Sequence, residues 1–126
     1  MDKIETFEDL DVYKVCRESR KRLSKLVKTF PPEEKYRLVD QIIRASRSVT
    51  ANIAEGYGRY HYQENIQFCR QARGSVCELL DHINTALDEE YISREIHDDY
   101  RKDILRAVQV INGYIRYLQK CKTINE

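Results

Sequence analysis

The sequence predicts an all-α protein, an antiparallel up-down-up-down four-helix bundle. Three observations carry that expectation. Four long segments repeat apolar residues every three or four positions, which is the period of a helix and not of a strand. The 126 residues hold only 4 Gly and 2 Pro, whereas a sandwich or barrel needs many turn residues. The breaks between segments are short, which makes consecutive helices antiparallel neighbours. One domain over residues 1–126 is expected, with an ordered core at about 7–120.

The first helix is expected from about Phe7 to Lys28. Glu8, Asp9 and Asp11 suit the positive end of its dipole. Val12, Cys16, Ser19, Leu23, Leu26 and Phe30 share one face, which is assigned to the core. Lys14, Arg17, Lys21, Lys25 and Lys28 recur at the same spacing on roughly the opposite face, as a basic stripe.

Pro31-Pro32 ends that helix and opens the second, expected from about Pro32 to Glu55 with Gly56 just past its end. Leu38, Ile42, Ala45, Val49 and Ile53 form its core face. The far side carries Tyr36, Ile43, Thr50 and Ala54, broken by Arg47. A simple surface helix would be polar there, so a second contact, such as one between subunits, is expected.

The third helix is expected from about Gln63 to Asp88, with a heptad seam of Ile66, Cys69, Arg73, Val76, Leu80, Ile83 and Leu87. Gly74 in its middle costs roughly 1 kcal/mol relative to Ala, which a close helix approach would offset. The fourth is expected from Ser93, a capping residue, to Lys120. Its seam is Tyr100, Ile104, Ala107, Ile111, Tyr114 and Leu118, and residues after Cys121 are expected to be a mobile tail.

Composition excludes several function classes. Lys+Arg is 22 and Asp+Glu 21, so any affinity for nucleic acid must come from uneven placement of charge. Cys16, Cys69, Cys77 and Cys121 form no CxxC pair, and no His lies at zinc-finger spacing, so free thiols in a reducing cytoplasm are expected. No apolar run approaches the roughly 18 residues of a membrane span, and Met-Asp-Lys-Ile-Glu-Thr shows no signal-peptide pattern. His61, His82 and His97 are scattered and no Glu-x-x-His occurs, so neither metal nor other cofactor is expected. No catalytic triad or phosphate loop is present, so no enzyme is expected.

Three constellations remain. Gln41, Arg44, Ser48, Asn52 and Glu55 run beside the core face of the second helix. With Arg73 and Glu78 of the third they are expected to form a structural polar network that fixes helix register, because an arginine at a core boundary needs a partner. A binding pocket is the alternative. The turn Gly56-Tyr57-Gly58-Arg59-Tyr60-His61-Tyr62 interleaves aromatics with positive charge, a pattern that stacks bases and holds phosphates, or else covers the bundle end. The basic stripe either tracks a phosphate backbone or is a solvated face.

The middle of the chain carries a resemblance. Pro31-Pro32-Glu33-Glu34 precedes Leu38 and Gln41-Ile42-Ile43-Arg44-Ala45-Ser46-Arg47-Ser48. Asn52-Ile53-Ala54-Glu55-Gly56-Tyr57-Gly58-Arg59 and Ala72-Arg73-Gly74-Ser75-Val76-Cys77-Glu78-Leu79 follow. This resembles the bacterial four helix bundle family first noted as proteins encoded in intervening sequences of large-subunit ribosomal RNA genes. The likeness covers Phe7 to Ile92 by residues and the fourth helix by pattern. It implies a ring assembly, typically a homopentamer, with no settled biochemical role. A structurally related group, the accessory protein of diversity-generating retroelements, binds a reverse transcriptase and nucleic acid. One departure is Ile43, where the family usually has the first of two adjacent arginines. The expected function is therefore a cytoplasmic, non-enzymatic homo-oligomer that binds nucleic acid, RNA in particular. Lys14, Arg17, Lys21, Lys25, Lys28, Arg59 and Tyr60 would carry binding. The alternative is a scaffold that binds protein and no nucleic acid.

Overall fold

A computed structural model describes residues 3–125. Four helices make up the fold: α1 (Asp11–Leu26), α2 (Leu38–Gly58), α3 (Tyr62–Asp88) and α4 (Arg94–Ile124). Three short 3-10 turns, Phe7–Asp9, Val27–Thr29 and Pro32–Glu34, sit at the connections. Each helix packs on its two neighbours in the cycle α1–α2–α3–α4, so the bundle runs up-down-up-down. One end gathers the start of α1, the α2–α3 turn and the end of α4. The other gathers the two remaining connections.

The first helix is shorter than the periodicity suggests. Thr6 Oγ1 accepts from the Glu8 N–H at 3.1 Å, and Asp9 Oδ2 accepts from the N–H groups of Glu5 and Thr6. These backbone donors hold the Asp9 carboxyl below its usual range. The capping box closes a separate turn, and Leu10 is extended before α1 begins. Phe7 then packs edge-on against Tyr13, ring centroids 4.8 Å apart. Pro32–Glu34 likewise forms its own turn, and Arg37, at φ −123° and ψ −107°, breaks the chain before α2.

Core rows on α1 and α2 fall where the spacing puts them. Val12, Cys16, Ser19, Leu23, Leu26 and Phe30 are buried, as are Leu38, Ile42, Ala45, Val49 and Ile53. On α3 the buried row is Asn65, Cys69, Ala72, Val76, Leu79, Ile83 and Ala86, with Ile66 beside it. That is a heptad row one position round from the expected seam, and it leaves Arg73, Leu80 and Leu87 half-buried at the margin. Small Ala72 and Ala86 serve in the seam because α3 packs closely on both neighbours. Ser93 caps α4 by accepting from the Ile96 N–H at 3.2 Å. α4 continues to Ile124, so the expected tail is helical, and only Glu126 of it lies outside the described residues.

The glycines exchange roles relative to the sequence reading. α2 runs through Gly56 to Gly58, so Gly56 is not a residue past the helix end. A Cβ there would meet Asn65 Oδ1 at 2.7 Å and Phe68 Cβ at 2.9 Å. Gly56 is thus the close-approach position between α2 and α3. Gly74 has nothing within 4 Å of an added Cβ. Gly74→Ala is therefore expected to stabilise the protein by about 1 kcal/mol through helix propensity, read as an upward shift of the urea midpoint at unchanged slope.

The far side of α2 is partly covered within the same chain. Thr50 is buried and accepts a hydrogen bond from Arg20 Nη1 of α1 at 2.8 Å, while Ile43 is half-buried against the core. Tyr36 is 82% exposed and Ala54 half-buried, so part of that side stays open.

Candidate nucleic-acid interface

The basic stripe lies on the solvent side of α1. Lys14, Arg17, Lys21, Lys25 and Lys28 are all exposed, and from first to last they span about 21 Å at the helical rise. Lys21 makes an exposed pair with Glu18 at 3.4 Å, which holds it weakly.

The stripe forms one wall of an open groove of ≈ 310 Å³ between α1 and α2. Lys21, Lys25 and Lys28 line that wall with Arg20 and Ser24. Ile43, Ser46 and Arg47 of α2 line the other. None of the described lining residues is acidic. Among the described residues, Lys25, Lys28 and Arg47 have no ion-pair partner. Five cations facing one groove repel one another, and a polyanion seated there relieves that repulsion. The sequence reading did not join Arg20 and Arg47 to the stripe, because Arg20 lies off its row on α1 and Arg47 is on α2. Arg20 is three residues past Arg17 and one past core Ser19, the spacing that turns it toward α2.

A local acidic cluster sits at the start of α4. Glu95, Asp98 and Asp99 line a shallow depression with Ile96 and Lys102. Asp99 also accepts from Arg22 Nη2 at 2.6 Å, which ties α1 to α4 on the side away from the groove. A net charge of +1 thus conceals a basic α1/α2 edge and a local acidic depression at the start of α4.

The expected polar network divides into separate contacts. Arg44 is exposed and pairs with Asp40 at 2.8 Å within α2. Arg73 Nη1 donates to Asn112 Oδ1 of α4 at 2.7 Å. Glu55 pairs with Arg59 at 3.5 Å, and Glu78 contacts His82 at 2.9 Å. Ser48 and Asn52 join each other within α2, and Ser48 alone of them reaches α3, at Ser75, outside the expected network. Asn52 Nδ2 donates to the Ser48 carbonyl and Oγ, and Ser48 Oγ lies 3.0 Å from Ser75 Oγ of α3. Gln41 is exposed. Arg44 and Arg73 therefore do not meet, because α2 turns Arg44 outward while Arg73 reaches to α4.

The α2–α3 turn places Tyr60 in the open, 85% exposed and at φ 53°. Arg59 is less available, since its guanidinium lies 5.1 Å over the Phe68 ring as well as beside Glu55. The same end holds Tyr114 and Tyr117 of α4, which the sequence reading did not join to the turn. No local signal connects residues more than fifty positions apart.

Thiol chemistry does not enter this surface. Burial pushes the Cys16 and Cys69 thiols up to about 12, so both are protonated at neutral pH. Cys77 is exposed and Cys121 half-buried. A maleimide is expected to label Cys77 fastest and Cys121 more slowly, with Cys16 and Cys69 protected until the bundle unfolds. Mass spectrometry of the labelled peptides checks this. Among the described residues, no group of three His, Cys, Asp or Glu could hold a metal ion, and no helix is long and apolar enough to cross a membrane.

A solved structure from Bacteroides thetaiotaomicron, described as a protein with unknown function from the S23 ribosomal protein family, has the same fold. It is 24% identical, superposes with a TM-score of 0.77, and the match covers 83% of this chain and 95% of that one. No curated protein matches the chain. The profile of the 23S rRNA-intervening sequence proteins matches residues 8–113, from the turn before α1 deep into α4. A match over that span makes the chain a member of the 23S rRNA-intervening sequence protein family.

Proposed function

We propose that this chain is a cytoplasmic, non-catalytic, homo-oligomeric RNA-binding bundle whose α1/α2 groove seats the phosphate backbone. The observation that carries the reading is the groove itself. It gathers Arg20, Lys21, Lys25, Lys28 and Arg47 with no acid among its described lining. Lys14 and Arg17 extend the cationic track along α1. Flexible lysines without bidentate partners suit phosphate contact and not base readout, so binding is expected to be weakly sequence-dependent. Assembly of several copies repeats the groove and multiplies its avidity. The scaffold alternative rests on exposed Tyr36 and half-buried Ile43 and Ala54, a smaller feature than the acid-free groove.

The test is the double change Lys21→Glu with Lys25→Glu. Both side chains are exposed, so folding is expected to be unaffected. RNA affinity is expected to fall at least about tenfold, and the salt slope to shrink by about 1.4, as two single-strand phosphate contacts are lost. Unchanged affinity would remove the groove from the account. Ile43 lies on the α2 wall, so Ile43→Arg is expected to raise affinity several-fold in the same assay.

A further inference from the structure

At the end of the bundle away from the acidic depression, three chain segments close on an aromatic cleft of ≈ 370 Å³. Tyr57 comes from the end of α2, Tyr60 and Tyr62 from the turn and start of α3, and Tyr114 and Tyr117 from α4. Ile4 and Leu10, before α1, close the remaining side. The volume falls in the range of small-ligand clefts.

Two features mark this cleft. Tyr60 follows the C-cap of α2 in the left-handed region, at φ 53°, donates its N–H to the Tyr57 carbonyl at 3.2 Å to close the helix, and is 85% exposed. That conformation costs roughly 1–2 kcal/mol for a residue with a Cβ, and so exposed a ring recovers little by burial. Its one ring contact is to Tyr57, at 6.0 Å. Tyr117 is 59% exposed yet lies nearly parallel to Tyr114, centroids 6.2 Å apart and planes 16° apart. Such a pair presents a flat aromatic face to solvent. Uncovered aromatic surface gathered at a cleft is the mark of a binding position.

The electrostatics select the ligand. No described lining residue of the cleft is acidic. The α4 wall continues into a stretch, residues 104–125, with Arg106, Arg116, Lys120 and Lys122 and no carboxylate. On the α1 side, Lys14 lines the continuation of the cleft and begins the basic stripe. Asp9 and Asp11 lie there too; the Asp9 carboxylate is engaged with the N–H groups of Glu5 and Thr6, and Asp11 adds one exposed carboxylate to that edge. Flat aromatic faces bordered by cations fit a ligand that has both planar rings and regularly spaced negative charge.

We propose that this tyrosine cleft receives unstacked bases of single-stranded RNA, whose phosphates run on to the cations of α1 and α4. The proposal rests on the RNA-binding reading and adds a preference to it. Bases paired within a duplex are stacked and cannot enter the cleft, so a single strand engages both surfaces and a duplex only the groove.

The experiment uses the full chain with three probes: a labelled single-stranded oligouridylate, an RNA duplex of equal length, and inorganic polyphosphate. Tyr60→Ala and Tyr117→Ala are compared with Tyr60→Phe and Tyr117→Phe, and melting curves confirm that each variant folds. The wild type is expected to bind the single strand about tenfold more tightly than the duplex. Each alanine variant is expected to lose about tenfold on the single strand, since base–aromatic stacking is sequence-tolerant and removed with the ring. Polyphosphate and duplex binding are expected to be unchanged, and the phenylalanine variants to bind as the wild type does. The chain has no Trp, so quenching of its tyrosine emission by the single strand reads the contact directly. Equal affinity for single strand and duplex, or alanine variants that bind the single strand normally, would overturn the cleft proposal and leave the groove reading standing. So would alanine variants that change the number of subunits without changing RNA affinity, which would make the cleft a contact between copies. Failure of the wild type to bind both RNA and polyphosphate would overturn both readings.

Discussion

Gly56→Ala is expected to destabilise the protein by about 2 kcal/mol, although alanine is the better helix former. In an open helix the same change would add about 1 kcal/mol of stability. Here the new Cβ would lie 2.7 Å from Asn65 Oδ1, 2.9 Å from Phe68 Cβ and 3.2 Å from the Asn65 carbonyl oxygen. The carbonyl belongs to the α3 backbone and cannot rotate away. The Asn65 side chain is also held, because Nδ2 donates to Tyr114 OH at 3.2 Å and Oδ1 accepts from Cys69 Sγ at 3.5 Å. Relief must come from moving α3 off α2, which disturbs the α3–α4 link at the same level. Overpacking of this kind costs about 1–3 kcal/mol, occasionally more. Urea denaturation checks the effect, with Gly74→Ala as the control of opposite sign. A Gly56→Ala protein as stable as wild type would mean the two helices pack more loosely than 2.9 Å implies.

Asp103→Ala is expected to cost about 2–3 kcal/mol, because it removes the charged acceptor of a buried hydroxyl. Ser19 is 6% exposed, and its Oγ donates to Asp103 Oδ2 at 2.7 Å. Asp103 also lies 3.6 Å from Arg22 Nη1, while Arg22 Nη2 reaches Asp99. The Arg22 guanidinium stacks 4.4 Å over the Tyr100 ring, and Tyr100 OH donates back to the Arg22 carbonyl. This clasp ties α1 to α4 by polar contacts, where the other helix pairs rely more on apolar packing. Asp103→Asn keeps an acceptor for Ser19 and is expected to cost less. The double change Ser19→Ala with Asp103→Ala is expected to cost less than the two single changes added together, since no buried hydroxyl is then left without a partner. Strict additivity in that cycle would contradict the clasp.

The helices and the α1 and α2 core rows were legible because each depends on one segment's periodicity. The breaks at Leu10 and Arg37 were not. Thr6 and Asp9 form a capping box whose closure looks, in sequence, like the first turn of a longer helix. On α3 two adjacent rows are apolar, and hydrophobicity alone favours the row with Leu80 and Leu87. The structure buries the row with Ala72, Leu79 and Ala86 instead. Glycine roles were inverted because distance to a neighbouring helix is a tertiary property.

The site divides in the same way. The α1 stripe is one face of one helix and could be read directly. Arg20 and Arg47 become neighbours only when α1 packs on α2, and Tyr117 joins Tyr60 only when α4 returns to the start of α3. Pairing of Arg44 with more distant carboxylates was expected from its place beside the core. The helix instead turns it to solvent, where Asp40 four residues earlier is its natural partner.

The most direct test of the account is the affinity of the assembled protein for RNA as a function of salt, followed by fluorescence anisotropy. Five phosphates engaged by the five groove cations give a log–log slope of about −3.5 for a single strand. The account predicts binding at low salt that weakens at about that slope or more steeply if several subunits engage one strand. A folded protein that binds no RNA at low salt, or binds it with an affinity indifferent to salt, would contradict the central claim and leave the α1 stripe as a solvated face.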